Sequence, residues 1–358
     1  MHSFISVTLL STLALIGGAQ SSAPAANTHA QSAESRSLAT QQVTAMPVMS
    51  LAAKELARQL FQEFNAGQIA HFWSVSSPKM KEAMVSEDNF AQISSQIQNQ
   101  LGKETKLMEE ILVPYLGAPA TVYTRLSEFG NAPMPIVTTI TISDNGLVEG
   151  FYTRPLENPA ETKFPTYQDK VKLRLPFAGA WFVYQGGRST FENYHAAIAV
   201  QRFALDLLPL KNGLPFSGDG KTNDQYYCFG QPVLAPAAGT VAEAEGTVPD
   251  NEPGKPGQGP VIGNHLVLDH GNGEFSLLAH LKQGSLKVKK GDRVQQGQPL
   301  AECGNSGNSP VPHLHYQLQN SATLLTTEGL PAQFIDYVAD GKPVASGEPV
   351  RGETIRNP

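Results

Sequence analysis

The sequence predicts an α+β N-terminal unit, helices followed by a small antiparallel sheet, and after it a mainly-β domain built on antiparallel sheet. Three observations carry this. Apolar residues recur at helical spacing between Ser50 and Gly102. After Gly102 the period changes to two. From Val171 onward, short alternating runs are separated by Gly, Pro and Asn, in keeping with 32 Gly and 26 Pro in the chain. A length of 358 residues accommodates two domains or three.

In the N-terminal unit Leu56, Leu60 and Phe64 lie four apart, with Phe61 and Ala53 in support and Gly67 placed to stop the helix. Ser86 is a good N-cap, Glu87 and Asp88 suit the positive end of a helix, and Phe90, Ile93, Ile97 and Leu101 form its apolar stripe. Val122 to Leu126 and Ile136 to Ile142 alternate as strands, and Asp144-Asn145-Gly146 is a hairpin turn into Leu147 to Tyr152. This unit, residues 50–154, resembles the nuclear-transport-factor-like or cystatin-like modules of exported bacterial proteins. No catalytic constellation is visible in it, and His71 beside Phe72 and Trp73 reads as packing.

Ahead of it the first charged side chain is Glu34, and Phe4 to Ala19 form a short apolar run ending in small residues. Residues 1–19 are expected to be an export signal cleaved near Ala19, although the n-region lacks Lys and Arg. Residues 20–49, rich in Ala, Ser, Thr and Gln, read as a spacer. An exported protein, periplasmic or extracellular at the cell wall, follows. The segment 155–170 reads as a linker, and 171–350 as the β-domain, with its core over 194–320.

Composition excludes several classes. With 26 Lys+Arg against 32 Asp+Glu the net charge is −6, which argues against a nucleic-acid partner. No uncharged apolar stretch reaches the roughly 20 residues of a membrane-spanning helix. Two cysteines, Cys228 and Cys303, exclude a disulfide mini-protein and a four-cysteine zinc site, and leave open one bridge or two thiols.

Nine histidines are ordinary as a total, but His195, His265, His270, His280, His313 and His315 fall in one third of the chain. Pro312 to Leu318 reads as a strand whose period of two sets His313 and His315 on one face. Such a pair can share a metal, or divide metal binding from proton handling. Alone it is a weak signal. It is preceded by Gly304-Asn305-Ser306-Gly307, by turns at Gly291 and Gly297, by Ala279-His280-Leu281, by His270-Gly271, and by Pro232-Val233-Leu234-Ala235-Pro236 with Gly239-Thr240-Val241.

This order resembles the lysostaphin-type peptidoglycan metallopeptidases over roughly Tyr194 to Leu318. The resemblance implies a mainly-β antiparallel-sheet peptidase domain holding one Zn2+ per chain on His195, Asp206 and His315. It implies His280 and His313 as non-ligating catalytic histidines, and peptidoglycan peptides as substrate. Two imidazoles and one carboxylate leave zinc an open fourth position, the catalytic form of such a site. The family commonly sets its first His and its Asp four apart, whereas His195 and Asp206 are eleven apart. A hairpin whose first strand is Tyr194 to Gln201 would reunite them. His265 and His270 are expected to be structural. The turn-rich segments Lys211 to Asp224 and Pro249 to Pro260 are either walls of the site or surface insertions.

Two other functions fit parts of the sequence. The wide His195–Asp206 spacing suits a catalytically inactive module that binds wall or activates another hydrolase. The Gly-spaced turns also suit a biotin- or lipoyl-carrier barrel, but Lys287, Lys289 and Lys290 are not at a hairpin tip.

Overall fold

The computed structural model describes residues 48–255, 257, 259–323 and 327–358. The expected export segment, and all but the last two residues of the expected spacer, lie outside the described residues. No described helix is long and apolar enough to cross a membrane.

The N-terminal unit opens with α1 (Val48–Asn65), α2 (Ala70–Ser74), α3 (Pro78–Met84) and α4 (Glu87–Leu101). The Ser86 side chain accepts the Asn89 N–H at 3.1 Å, and Glu87 and Asp88 occupy the first turn of α4. α2 and α3 are too short for apolar periodicity to reveal. His71, on α2, faces Glu63 at 2.8 Å. The strands β1 (Glu104–Pro114), β2 (Ala120–Phe129), β3 (Ile136–Ser143) and β4 (Val148–Pro155) form a meander in that order. Leu60, Phe61, Phe64, Phe72 and Phe90 bury against Tyr123, Ile140 and Val148. Glu110 on β1 receives Arg58 and Lys54 from α1 and the Tyr123 hydroxyl. The Arg58 hydrogen bond, against the opposing effect of burial, holds that carboxyl down at about 2.

The second domain contains β5 (Ala180–Gln185), β6 (Leu205–Leu208), β7 (Pro232–Leu234), β8 (Gly239–Glu245), β9 (Asn264–Asp269) and β10 (Phe275–Leu281). It continues with β11 (Arg293–Val294), β12 (Pro299–Glu302), β13 (Leu314–Gln319) and β14 (Gly329–Leu330). The C-terminal segment supplies β15 (Phe334–Ala339), β16 (Lys342–Gly347) and β17 (Thr354–Arg356). One large sheet runs β11-β8-β9-β10-β13-β6-β5-β17-β15-β16, with β14 paired to β13, and β7 pairs with β12. The fold is thus helices and a small antiparallel sheet, then antiparallel β-structure. The C-terminal residues beyond 329 extend the sheet past β5.

Period-two alternation divides the central strands. Leu314, Tyr316 and Leu318 of β13, Leu278 of β10, Leu266 and Leu268 of β9 and Leu205 and Leu207 of β6 fill the core. His315 and Asp206 point to the other face. Cys228 and Cys303, both buried in that core, form a disulfide across 75 residues. Between the domains, Ile111, Val113, Leu126 and Val137 of the meander pack with Phe182 and Phe191.

The segment leading into the large sheet is tied down at its C-terminal end. The Glu274 carboxylate accepts the Lys170 and Val171 N–H groups at 2.6 and 2.9 Å and the Tyr167 hydroxyl at 2.8 Å. Asp169 accepts the Gln333 N–H at 2.9 Å. Burial, reinforced by the Glu274 charge and opposed by the Gln333 N–H, pushes the Asp169 carboxyl up to about 6.

Two predictions follow from these ties. Replacing both cysteines by alanine frees a long loop in the unfolded chain and should cost about 3–4 kcal/mol, read as a lower denaturant midpoint of the second domain. An unchanged midpoint would show that the bridge constrains nothing. For Asp169 the folded pKa lies above the ordinary carboxylate value, so the native state holds more protons in that window. Stability should therefore fall as pH rises from about 4 to about 6, and Asp169→Asn should flatten that slope; equal slopes in the two proteins would refute the assignment.

Candidate metal centre

The structure brings His195, Asp206 and His315 together: one potential ligand atom from each lies within 4.8 Å of the others, and all three are buried. Asp206 and His315 face each other across the β6–β13 ladder. His315 Nδ1 is 3.1 Å from Asp206 Oδ1, and His195 Nε2 is 3.1 Å from Asp206 Oδ2.

The eleven-residue separation closes differently from the expected hairpin. Tyr194–Ala197 and Ala199–Gln201 are two short 3-10 turns, so the expected strand from Tyr194 to Gln201 is corrected. Asn193, fully buried, clamps the excursion. Its Nδ2 donates to the Ala204 carbonyl at 2.9 Å, where the chain returns, and to the Gly187 carbonyl at 3.2 Å. Its Oδ1 accepts the His195 N–H at 3.1 Å. Polar side chains here satisfy backbone groups that a strand would have paired.

His280 reaches the site through a break in the strand pattern. With Leu278 facing the core, strict alternation would send His280 into the core as well. Instead the register of β10 against β9 shifts between Ala279 and Leu281, and His280 adopts a left-handed φ of 60°. The bulge turns the imidazole to the site face and returns Leu281 to the core. A histidine held there is strained, a condition that collects at functional sites. His313 precedes β13 by one residue and shares the His315 face. The His280 ring centre lies 4.8 Å from that of His313 and 5.7 Å from that of His315.

All four rings are oriented in the same way. One nitrogen donates to a fixed oxygen behind the site, leaving the lone pair of the other directed inward. His195 Nδ1 donates to Gln201 Oε1 at 3.1 Å, and His315 Nε2 to Gln317 Oε1 at 3.2 Å. His280 Nδ1 donates to the Ser306 carbonyl and His313 Nδ1 to the Val311 carbonyl, each at 2.8 Å. The inward-facing atoms are then His195 Nε2, His315 Nδ1, His280 Nε2 and His313 Nε2, the first two against the Asp206 carboxylate. Gln317 sits two residues after His315, so period two could have flagged it; nothing in the sequence points to Gln201.

Burial would drive the Asp206 carboxyl upward, but the neighbouring His195, His313 and His315 hold it well below the usual carboxylate range. His280 is pushed well below the ordinary histidine range, by burial first and then by His313 and His315. The Tyr194 hydroxyl donates to Asp206 Oδ2 at 3.0 Å, and burial beside that carboxylate raises its pKa and keeps it a donor. Two imidazole lone pairs and a carboxylate converging on one point fit a divalent metal.

The turn-rich segments brace this face. Asp250 accepts the Asn305 and Gln283 N–H groups at 2.7 and 3.0 Å. Asn251 Nδ2 donates to the Gly307 and Ser309 carbonyls, and Asn305 Nδ2 to Asn223 Oδ1. Gly307 has a φ of 76°, and a Cβ there would collide with the Gly263 backbone. Cys303 anchors the start of the same loop. His270 stands apart: its ring nitrogens bond the Ala238 carbonyl and Ser276 Oγ, both at 2.8 Å. His265 also lies outside the cluster.

Residues 224–326 match the model of Peptidase family M23, a span that includes His280, His313 and His315 and begins after His195 and Asp206. Peptidoglycan DD-endopeptidase ShyA of Vibrio cholerae is 42% identical over 59 residues, 16% of this chain and 13% of that protein. Cell division protein DipM of Caulobacter vibrioides is 30% identical over 110 residues, 30% of this chain and 16% of that protein. The chain thus spans less than a fifth of the length of either relative. The catalytic domain of the antimicrobial peptidase lysostaphin from Staphylococcus simulans aligns at 20% identity and a TM-score of 0.26, covering 42% of this chain and 88% of that one. The chain is thus similar to Peptidase family M23 over residues 224–326.

Proposed function

We propose that the chain is an exported zinc metalloendopeptidase hydrolysing peptide bonds in bacterial peptidoglycan, with His195, Asp206 and His315 as metal ligands. The observation that carries this reading is the convergence of those three side chains beside two further imidazoles that are not needed to hold the ion. The peptidoglycan relatives supply the substrate class. The eleven-residue spacing favoured an inactive module only while it stood for a missing ligand, and His195 Nε2 lies 3.1 Å from Asp206.

His195, Asp206 and His315 would hold a zinc ion, which would supply Lewis acidity toward the scissile carbonyl and water. The chain's residues do the rest. With Nδ1 protons committed to Ser306 and Val311, His280 and His313 present Nε2 as proton acceptors. Having accepted a proton, either imidazole can donate it to the leaving amine or stabilise the oxyanion of the tetrahedral stage. A His280 pKa below the ordinary range keeps that ring neutral at pH 7 and ready to accept. Gln201 and Gln317 fix the tautomers of the ligand histidines, and the Tyr194 hydroxyl orients the Asp206 carboxylate.

The test uses purified mature protein. It should carry one zinc per chain and cut cross-linked peptidoglycan peptides, detected by mass spectrometry. Chelation should abolish cleavage and zinc should restore it. His313→Ala should keep the zinc and lower kcat by about 10²–10⁴-fold. Folded protein with full zinc that cuts no cross-link would replace this reading with the inactive binding module.

Asp206→Asn tests the ligand set separately. It should weaken zinc affinity by on the order of 100-fold, with far-ultraviolet circular dichroism unchanged. Unaltered affinity would remove Asp206 from the ligands.

A further inference from the structure

The ladder register continues the metal site sideways across the sheet. Asp206 pairs with His315, His315 with Ala279, Ala279 with His265, and His265 with Glu245. Directly paired positions share a face, so His265 and Glu245 stand on the face of the metal ligands. Glu243, two residues before Glu245 and paired with Val267, stands there too. Two strand spacings separate His265 from His315, about 10 Å. Between them Ile262 packs on the Ala279 and Val267 surface, giving an apolar stretch of floor.

At the far end of this row a donor is missing. His265 is 94% buried by its 6% exposure, and its Nδ1 donates to the Gly263 carbonyl at 2.8 Å. That bond leaves a lone pair on Nε2, which is buried and has no hydrogen-bond partner. The atom faces Glu243 Oε1 at 3.6 Å, beyond hydrogen-bond distance. A carboxylate and an imidazole lone pair are both acceptors. Leaving a buried acceptor unpaired is costly, and such an atom calls for an explanation. Glu245 does not provide it, since its carboxylate takes the Thr247 N–H at 2.8 Å and the Thr247 hydroxyl. Among the described residues, no Lys or Arg pairs with Glu243, whose side chain is 46% exposed.

We propose that Glu243 and His265 form a recognition subsite for an ammonium group of the substrate peptide. An ammonium has three N–H donors and no acceptor, so one group can satisfy Glu243 Oε1 and His265 Nε2 together. At about 10 Å from the metal ligands the subsite reads a residue one or two positions from the scissile bond, its aliphatic part resting on Ile262. The proposal rests on the peptidase reading for what the substrate is, and not for whether the subsite binds. The ammonium comes either from the side chain of a diamino acid or from a peptide's α-amine.

The experiment follows the His265 ring nitrogens by 15N nuclear magnetic resonance in the full zinc-loaded chain, assigned with His265→Gln. Two probes separate the sources: Nα-acetyl-lysine amide offers a side-chain ammonium, and alanine amide an α-ammonium. One of them should shift the Nε2 resonance, and Glu243→Gln should weaken that probe about tenfold. Nα,Nε-diacetyl-lysine amide should have no effect. In hydrolysis, acetylating the matching amine of a wall peptide should raise KM about tenfold with kcat little changed, and Glu243→Gln should erase the difference. The proposal is overturned if neither probe moves the resonance, or if Glu243→Gln leaves the response intact. It is equally overturned if the free protein shows a protonated Nε2 bonded to Glu243, since the missing donor is then the ring's own. A probe response without hydrolysis of any wall peptide would sink the peptidase reading and leave the subsite standing.

Discussion

The Asp206 carboxylate is the constraint on which this half of the molecule depends. It is buried in the middle of a sheet with no Lys or Arg beside it among the described residues, and an uncompensated charge there would cost several kcal/mol. The groups within reach are His195, His313, His315 and the Tyr194 hydroxyl. With the Gln201 and Gln317 oxygens taking the outer ring protons of His195 and His315, the carboxylate faces imidazole lone pairs, acceptor against acceptor. A divalent cation removes that conflict, because neutral imidazoles and an ionised carboxylate are the states it requires. The architecture around Asp206 serves to deliver those imidazoles from separate stretches of chain to one place.

Much of this was legible in the sequence, for identifiable reasons. Strict alternation in Leu314-His315-Tyr316-Gln317-Leu318 gives both the core face and the site face of β13, because side-chain direction in a strand is a local property. The Gly-rich turns and the Ser86 cap were readable on the same ground. The manner in which His195 approaches Asp206 was not. An excursion of two 3-10 turns has no periodicity, and what holds it is the long-range bond from Asn193 to the Ala204 carbonyl. The Gln201 contact with His195 is hidden for the same reason. Nor does sequence tell whether two cysteines 75 residues apart meet, since that depends on the packing of β7 and β12.

His280 shows how a local rule is broken for a purpose. Pattern alone puts this ring in the core behind Leu278, and the left-handed backbone with its shifted register puts it in the site. The strain is held by bonds on both sides: the Ser306 carbonyl takes the ring Nδ1–H, and the Ser306 hydroxyl donates to the Leu281 carbonyl just past the bulge. Ser306 in turn belongs to the loop that starts at the disulfide. Consistency at neighbouring positions lets one residue depart from it.

The N-terminal unit is joined to the same chemistry by packing. The Val311 carbonyl orients His313, and the Val311 side chain belongs to a small apolar cluster with Phe216 and Tyr226. Leu116, from the β1–β2 hairpin of the N-terminal sheet, packs into that cluster, and its carbonyl accepts the Tyr226 hydroxyl at 2.9 Å. The path from the accessory sheet to the ring of His313 is thus one side-chain cluster and one hydrogen bond long. Close-packed interiors transmit displacement rather than absorb it. Because Phe182 and Phe191 fix the rest of that sheet against β5 and the loop before His195, the unit braces the centre from both sides. What the described residues of the N-terminal unit place beside the site is packing: Leu116 on the Val311 cluster, and its sheet on Phe182 and Phe191.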